Sequence, residues 1–326
     1  MNNFKKIGLS ALAGSLVAVS AHAAEFSVSG SASITMDRPV TDKGAATGND
    51  FSMGDSLTFN ASGETDNGLG VAVMYEIDNG ALDDYDMTLS GDWGSLKFNG
   101  SGSSSALSAI DDVTPNAYEE AWDIVDYDGT LTVGAPTVIT GGGGANMFIY
   151  TSPSFMGATV TVAYQNDGGA VTVQDSYTDF AIAYSPEMVE GLTLGYATAD
   201  QETAINKSVT KTTGYAKYAV GGLTIGYQVS EADHDTKTSS ADSHGYGVTY
   251  AVNDDFSIGY HSHTYEPDSG ASGSGKGTLD QESTGISASY TMGGMTLAGA
   301  MNETDNSRGT ASNDFESYEF NLSFAF

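Results

Sequence analysis

The side chains in this sequence best placed to do chemistry are carboxylates. Between Ser101 and Ala145 stand Asp111, Asp112, Glu119, Glu120, Asp123, Asp126 and Asp128, with no Lys or Arg among them. Carboxylates at such spacing can share a proton, hold a hard cation, or repel anions from a confined passage. Over the whole chain, 42 acidic residues face 11 basic ones, a formal charge of -31. At that acidity paired carboxylates arise by chance, so spacing alone does not specify an acid–base pair.

Other candidate chemistries fail on their own requirements. His261 and His263 share one face at i, i+2, but zinc takes three or four ligands and no third is identifiable. They read instead as polar residues facing an interior or lying near a loop. Asp83-Asp84-Tyr85-Asp86 and Asn253-Asp254-Asp255 do not fit a twelve-residue calcium loop. Gly141–Gly144 lacks the Lys-Ser/Thr of a phosphate loop. No nucleophile elbow is present, and the absence of cysteine excludes a disulfide scaffold and a thiolate metal site. The expectation is no catalytic set, no dedicated metal site and no cofactor beyond Ca2+ or Mg2+ held loosely at acidic loops. The charge also makes nucleic acid a poor partner.

The elements that position these carboxylates follow from a period-two rhythm. Phe26, Val28, Ala32, Ile34 and Met36 share one strand face, and Ser27, Ser29, Ser31, Ser33 and Thr35 share the other. Tyr318, Phe320, Leu322, Phe324 and Phe326 alternate in the same way with Glu319, Asn321, Ser323 and Ala325. Fourteen further segments of this kind between the two ends predict sixteen strands. An even number puts both chain ends on one side, as in bacterial barrels.

Connection length adds a second signal. Short turns at Gly91–Gly94, Gly221–Gly222, Asn253–Asp255 and Gly293–Gly294 alternate with longer segments such as Asp37–Asp55, Asp200–Thr212, Ser230–Ser243 and Glu266–Ser283. Asn79–Asp84 is the short exception. Tyrosines add a third signal. Tyr184, Tyr218, Tyr250 and Tyr290 fall near one end of their strands, and Tyr75, Tyr164, Tyr196, Tyr227 and Tyr260 near the other, as two interfacial belts require. The predicted fold is all-β: a transmembrane, antiparallel up-and-down barrel of sixteen strands in the bacterial outer membrane.

Residues 1–23 read as a cleaved signal peptide. Lys5 and Lys6 precede the apolar run Ile7–Val19, which is too short to span a bilayer, and Ala21-His22-Ala23 fits the small-x-small cleavage rule. The barrel domain then covers 24–326.

The segment 101–145 is the longest connection, and it carries apolar anchors: Leu107, Ile110, Val113, Tyr118, Trp122 and Ile124. A solvated loop has no use for them, whereas a loop folded into a barrel packs them against the wall. The carboxylates are therefore expected at a constriction, where they favour cations over anions at separations below the Debye length of about 8 Å. Opposing cations are few. Lys97 alternates with Leu96 and Phe98, and Lys217 neighbours Tyr218, so both are expected to point inward. Arg38 is expected in the first loop.

Several stretches together resemble the Gram-negative general porin family. They are Gly91-Asp92-Trp93-Gly94-Ser95-Leu96-Lys97-Phe98 entering the long loop, Asn146-Met147-Phe148-Ile149-Tyr150-Thr151-Ser152-Pro153 leaving it, and the aromatic strand ending in Phe326. The resemblance implies a homotrimer of sixteen-stranded barrels with the third loop folded inward. It also implies that the terminal strand, with Phe324 and Phe326, is the signal read by the barrel-assembly machinery. Such porins often carry an arginine ahead of the Asn-x-x-x-Tyr-x-Ser-Pro stretch; here Gly141–Gly144 stands there instead. The expected activity is passive diffusion of ions and small hydrophilic solutes with cation preference, among outer-membrane lipid and lipopolysaccharide. The alternatives are a substrate-specific channel and a non-channel adhesin or binding barrel.

Overall fold

The computed structural model describes residues 25–41, 50–122, 139–144, 146–166, 176–204, 207–235, 240–267, 279–309, 311 and 314–326. The expected signal peptide and Asp123, Ile124, Asp126 and Asp128 lie outside them. The chain begins with β1 (Glu25–Thr41), β2 (Asp50–Glu64), β3 (Gly70–Asp78), β4 (Ala81–Gly91) and β5 (Gly94–Ser101). Two short strands within the long loop, β6 (Ser103–Ser104) and β7 (Gly143–Gly144), pair with each other. The wall resumes with β8 (Met147–Thr151), β9 (Ala158–Gln165), β10 (Tyr177–Tyr184), β11 (Leu192–Ala204) and β12 (Lys207–Val220). It continues through β13 (Leu223–His234), β14 (Ala241–Ala251), β15 (Phe256–Pro267) and β16 (Gln281–Met292) to β17 (Met295–Asp305) and β18 (Phe315–Ala325).

Sixteen of these strands form one closed barrel in which each pairs antiparallel with its sequence neighbours and β18 pairs with β1. Closure is completed by reciprocal backbone bonds between Gly30 and Phe326, each 2.9 Å. A sheet in hydrocarbon has no water for its edge groups, so closing the edge is what makes the wall tolerable there.

Register fixes which residues face which solvent. At the seam Ser31, Ser33 and Thr35 pair with Ala325, Ser323 and Asn321, while Ala32, Ile34 and Met36 pair with Phe324, Leu322 and Phe320. Ile34, Phe320, Leu322, Phe324 and Phe326 are exposed on the outer surface, as are the tyrosines of both predicted belts. The apolar set of each strand therefore faces lipid, and the hydroxyl set faces the lumen.

The structure corrects several loop boundaries. β11 and β12 run on to Ala204 and Lys207, so the predicted loop Asp200–Thr212 is mostly strand. β1 reaches Thr41 and β2 starts at Asp50, which shortens the first loop. Arg38 lies on β1 opposite Tyr318, on the outward face, and not in a loop. The reason is physical: above the tyrosine belt both faces meet water, so apolar alternation stops while the hydrogen-bond ladder continues. Thr210 Oγ1 donates to Asp200 Oδ1 at 2.9 Å in that region, a polar pair where lipid-facing strands carry apolar ones. Asn79 and Gly80 join β3 and β4 in a two-residue turn with φ of 48° and 79°, the left-handed pair that tight hairpins favour.

Leu322 lies in the middle of the outward aromatic run of β18. Replacing it with Arg is expected to cost about 2–4 kcal/mol if the site lies at the bilayer midplane. Equilibrium unfolding of the lipid-embedded barrel measures this; unchanged stability would place Leu322 outside the hydrocarbon.

Candidate functional site

The long loop between β5 and β8 leaves the wall at Ser101 and enters the lumen. Its first anchor is a turn over Ser105–Ile110, with Ala109 N donating to Ser105 O and Ile110 N to Leu107 O. Asp179 on β10 holds that turn. Its Oδ2 accepts from Leu107 N at 2.7 Å and from Tyr177 Oη at 2.9 Å, and its Oδ1 accepts from Ala163 N at 3.0 Å. Tyr177 Oη also accepts from Gly142 N at 2.8 Å and lies 3.0 Å from Ser105 Oγ, which ties the outgoing and returning arms together. Leu107, fully buried, packs with Met147, Ile149, Ala163 and Ala181, so small wall residues leave room for the anchor.

Farther on, Gln228 of β13 donates to Ile110 O and accepts from Val113 N, at 2.8 and 3.0 Å. His261 of β15 accepts from Ala121 N through Nδ1 at 3.3 Å, which leaves the proton on Nε2, 2.5 Å from Thr114 Oγ1. Trp122 packs its ring against His261 and His263, with centroids 4.9 and 4.5 Å apart. Ser287 accepts from Ala117 N at 3.1 Å, Asn302 donates to Glu120 O at 3.0 Å, and Tyr118 Oη donates to Glu319. Irregular backbone inside a barrel needs partners for its polar groups. Here wall side chains on β10, β13, β15 and β16 supply acceptors for four loop N–H groups.

Close approach depends on glycine. A Cβ on Gly247 would come within 2.1 Å of Pro115 O, one on Gly226 within 2.5 Å of Pro115 Cδ, and one on Gly259 within 2.8 Å of Ala117 N. The three residues form a smooth bed on β13, β14 and β15. The sequence reading named the loop's apolar anchors and put His261 and His263 facing an interior or near a loop, but it named neither this bed nor Asp179 and Gln228. Glycine and polar residues on an inward face look the same whether they line water or seat a loop.

The carboxylates divide by environment. Asp111 accepts from Gly141 N at 2.8 Å. Burial pushes its carboxyl up to about 6, against the opposing pull of the Gly141 N–H and of Lys211. Asp112 opens into a crevice between the loop and β13–β15, with Gln228, Ser230, Ser243 and His263 in the lining. Enclosure by the wall, then the charges of Glu120 and Asp111, push it up to about 8. Its surface still meets lumen water in that crevice. Glu120 accepts from Asn116 Nδ2 at 2.7 Å, and Glu119 is half-buried beside it. Burial and the nearby glutamates hold the Tyr118 hydroxyl protonated.

Lys97 points inward on β5 and lies 3.4 Å from Asp86 of β4. Lys217 also points inward, paired with Thr193 and Gly226, on the wall that carries the loop. The two lysines are therefore separated, one on each side of the lumen. Phe324 and Phe326 face outward at the seam, with ring centroids 5.9 Å apart. Among the described residues no group of three or more His, Asp or Glu side chains could hold a metal ion. His261 and His263 serve the loop instead.

Gly247→Val is expected to lift Pro115 off its bed, because backbone cannot yield as a side chain tip can, at a cost of about 1–3 kcal/mol. Single-channel conductance and thermal stability read this together; wild-type values for both would mean that the loop does not rest on this wall.

The comparisons with known proteins agree with this architecture. No curated protein matches the sequence. The anion-selective porin from Comamonas acidovorans superposes with a TM-score of 0.68 at 15% identity, covering 93% of this chain and 100% of that one. OmpF of Salmonella typhi, in complex with daunomycin, gives 0.71 at 12% identity over 92% and 97% of the two chains. OmpT of Vibrio cholerae gives 0.67 at 12% identity over 94% and 99%. At these identities the likeness is one of fold. The family model for Gram-negative porins matches residues 8–276, most of the chain and all of the wall from β1 to β15. With the closed sixteen-stranded barrel and its inward loop, this match makes the chain a member of the Gram-negative porin family, a β-barrel of the bacterial outer membrane.

Proposed function

We propose that this porin passes ions and small hydrophilic solutes by diffusion and prefers cations. The observation that carries the reading is the makeup of the open wall. The loop's described hydrogen-bonded anchors fall on β10, β12, β13 and β15–β18, with a glycine contact on β14, which leaves β1–β5 facing free lumen. Inward positions there include the hydroxyls and carboxylates of Ser29, Ser31, Ser33, Thr58, Glu76 and Asp78. Across from them lies a loop with no basic residue. A path with carboxylates on both sides lowers the energy of a passing cation and raises that of an anion.

The anion-selective porin of similar fold shows that this scaffold does not fix the sign of selectivity. The sign comes from side chains, and here they are acidic. We read the protein as a channel and not an enzyme, since its ordered carboxylates serve loop packing. The family resemblance supports a homotrimer and an assembly signal at Phe324 and Phe326. Residues 1–23 read as its export signal, and the acidic outer loops as places where Ca2+ or Mg2+ bridges to lipopolysaccharide.

The test is the zero-current potential of refolded protein in a planar bilayer under a KCl gradient. Stepwise conductance with a cation-selective potential is expected. Conductance without selectivity would keep the diffusion pore and remove the electrostatic reading; silence from inserted protein would remove both.

A pH dependence follows with a definite sign. Asp111 and Asp112 have raised values in the folded loop, so they are neutral in acid and charge as pH climbs through about 6 and about 8. Cation preference is expected to grow between about pH 5 and about pH 9. The folded loop binds these protons more tightly than the unfolded chain does, so their contribution to stability falls as pH rises from about 4, where the unfolded carboxyls ionise, to about 8, and is level above that. Asp112→Asn should flatten the upper part of the selectivity curve; an unaltered curve would detach that carboxyl from the ion path.

A further inference from the structure

Lys97 is the only basic side chain pointing into the lumen from β1–β5, β8 and β9 among the described residues. Its amine sits where the long loop leaves the wall. Its pairing partners are Thr88 on one side and Ile149 on the other, so β8 offers it no counter-charge. The counter-charge comes from β4. Asp86, one inward position along from Thr88, places Oδ2 at 3.4 Å from Lys97 Nζ. The two partners are unequal: the Lys97 side chain is 36% exposed and that of Asp86 only 9%. The acid is tucked beneath, and the amine meets lumen water. Asp78, Asp83 and Asp84 add acidic charge nearby, with Asp84 against Gly102 at the start of the loop.

We propose that Asp86 is a specificity-determining residue of the pore: it masks Lys97, the one cation on the open wall, so that the root of the long loop presents no positive charge to a passing ion. The inference rests on the diffusion-pore reading. An unmasked ammonium here would face the loop's carboxylates across the lumen. It would set up a transverse field and draw anions to the open wall. With Asp86 in place the pair is electrically closed, and the hydroxyls and remaining carboxylates of β1–β5 govern the path. The depth of Asp86 matters, because a partly buried carboxylate keeps its position and interacts more strongly than one free in water.

The test is the zero-current potential under a KCl gradient for the wild type, Asp86→Asn, Lys97→Met and the double variant. Asp86→Asn is expected to lower the cation-to-anion permeability ratio by about threefold, the Boltzmann weight of one unit charge several ångströms from the ion path in water. Lys97→Met should raise the ratio by a similar factor, and the double variant should return near the wild-type value. A double variant that keeps the ratio of either single variant, or single variants that leave the ratio unchanged, would overturn the masking. Lys97→Glu secures the test against misfolding of Asp86→Asn, because the lysine is half-exposed: a ratio no higher than wild type from folded protein would also overturn it. Failure of the diffusion-pore reading is distinct, since it appears as absent conductance in the wild type.

Discussion

Everything in this molecule depends on the rule that backbone N–H and C=O groups must be satisfied where no water reaches them. The outer surface obeys it by closing the sheet, with β18 on β1 and the reciprocal Gly30–Phe326 bonds at the seam. Closure forces alternation: an apolar face for lipid and a hydroxyl face for the lumen. Sixteen strands make the lumen too wide for side chains to fill. The long loop occupies that space, and it must then meet the same rule in the interior.

The loop meets it with borrowed partners. Leu107, Val113, Ala117 and Ala121 donate their N–H groups to Asp179, Gln228, Ser287 and His261. These wall residues look like pore lining in the sequence, but they act as fasteners. The pore itself is the space they leave, between the loop and β1–β5. The wall thus has two chemistries: acceptors and glycines where the loop rests, and hydroxyls, carboxylates and the Asp86–Lys97 pair where it does not. The first region shapes the passage, and the second sets which side chains line it.

The barrel was legible because lipid imposes a strict period. The segment Tyr318–Phe326 declares its two faces, and the tyrosines mark where the strands leave the membrane. What lay beyond the membrane was less legible. From Asp200 to Thr212 most positions on both faces are polar, so strand and loop look alike, although the ladder continues. Lys97 and Lys217 could be assigned inward from their neighbours, yet no local pattern brings Asp86 to Lys97, because that contact depends on cross-strand register. His261 illustrates the remaining limit. Its spacing with His263 shows a shared face, but its partners Thr114 and Ala121 lie about 140 residues earlier, an order of separation that short-range patterns do not span.

That separation has a consequence for how the molecule comes into being. The loop belongs to the first half of the chain, while Asn302 and Glu319, which hold its far end, are among the last residues made. Contacts of such long range form late, after the chain between them has been brought into place. A nascent barrel that still lacks β16–β18 therefore has nowhere to fasten Tyr118 and Glu120. The strands that fasten the far end of the loop are thus also those that bring the wall to closure on β1.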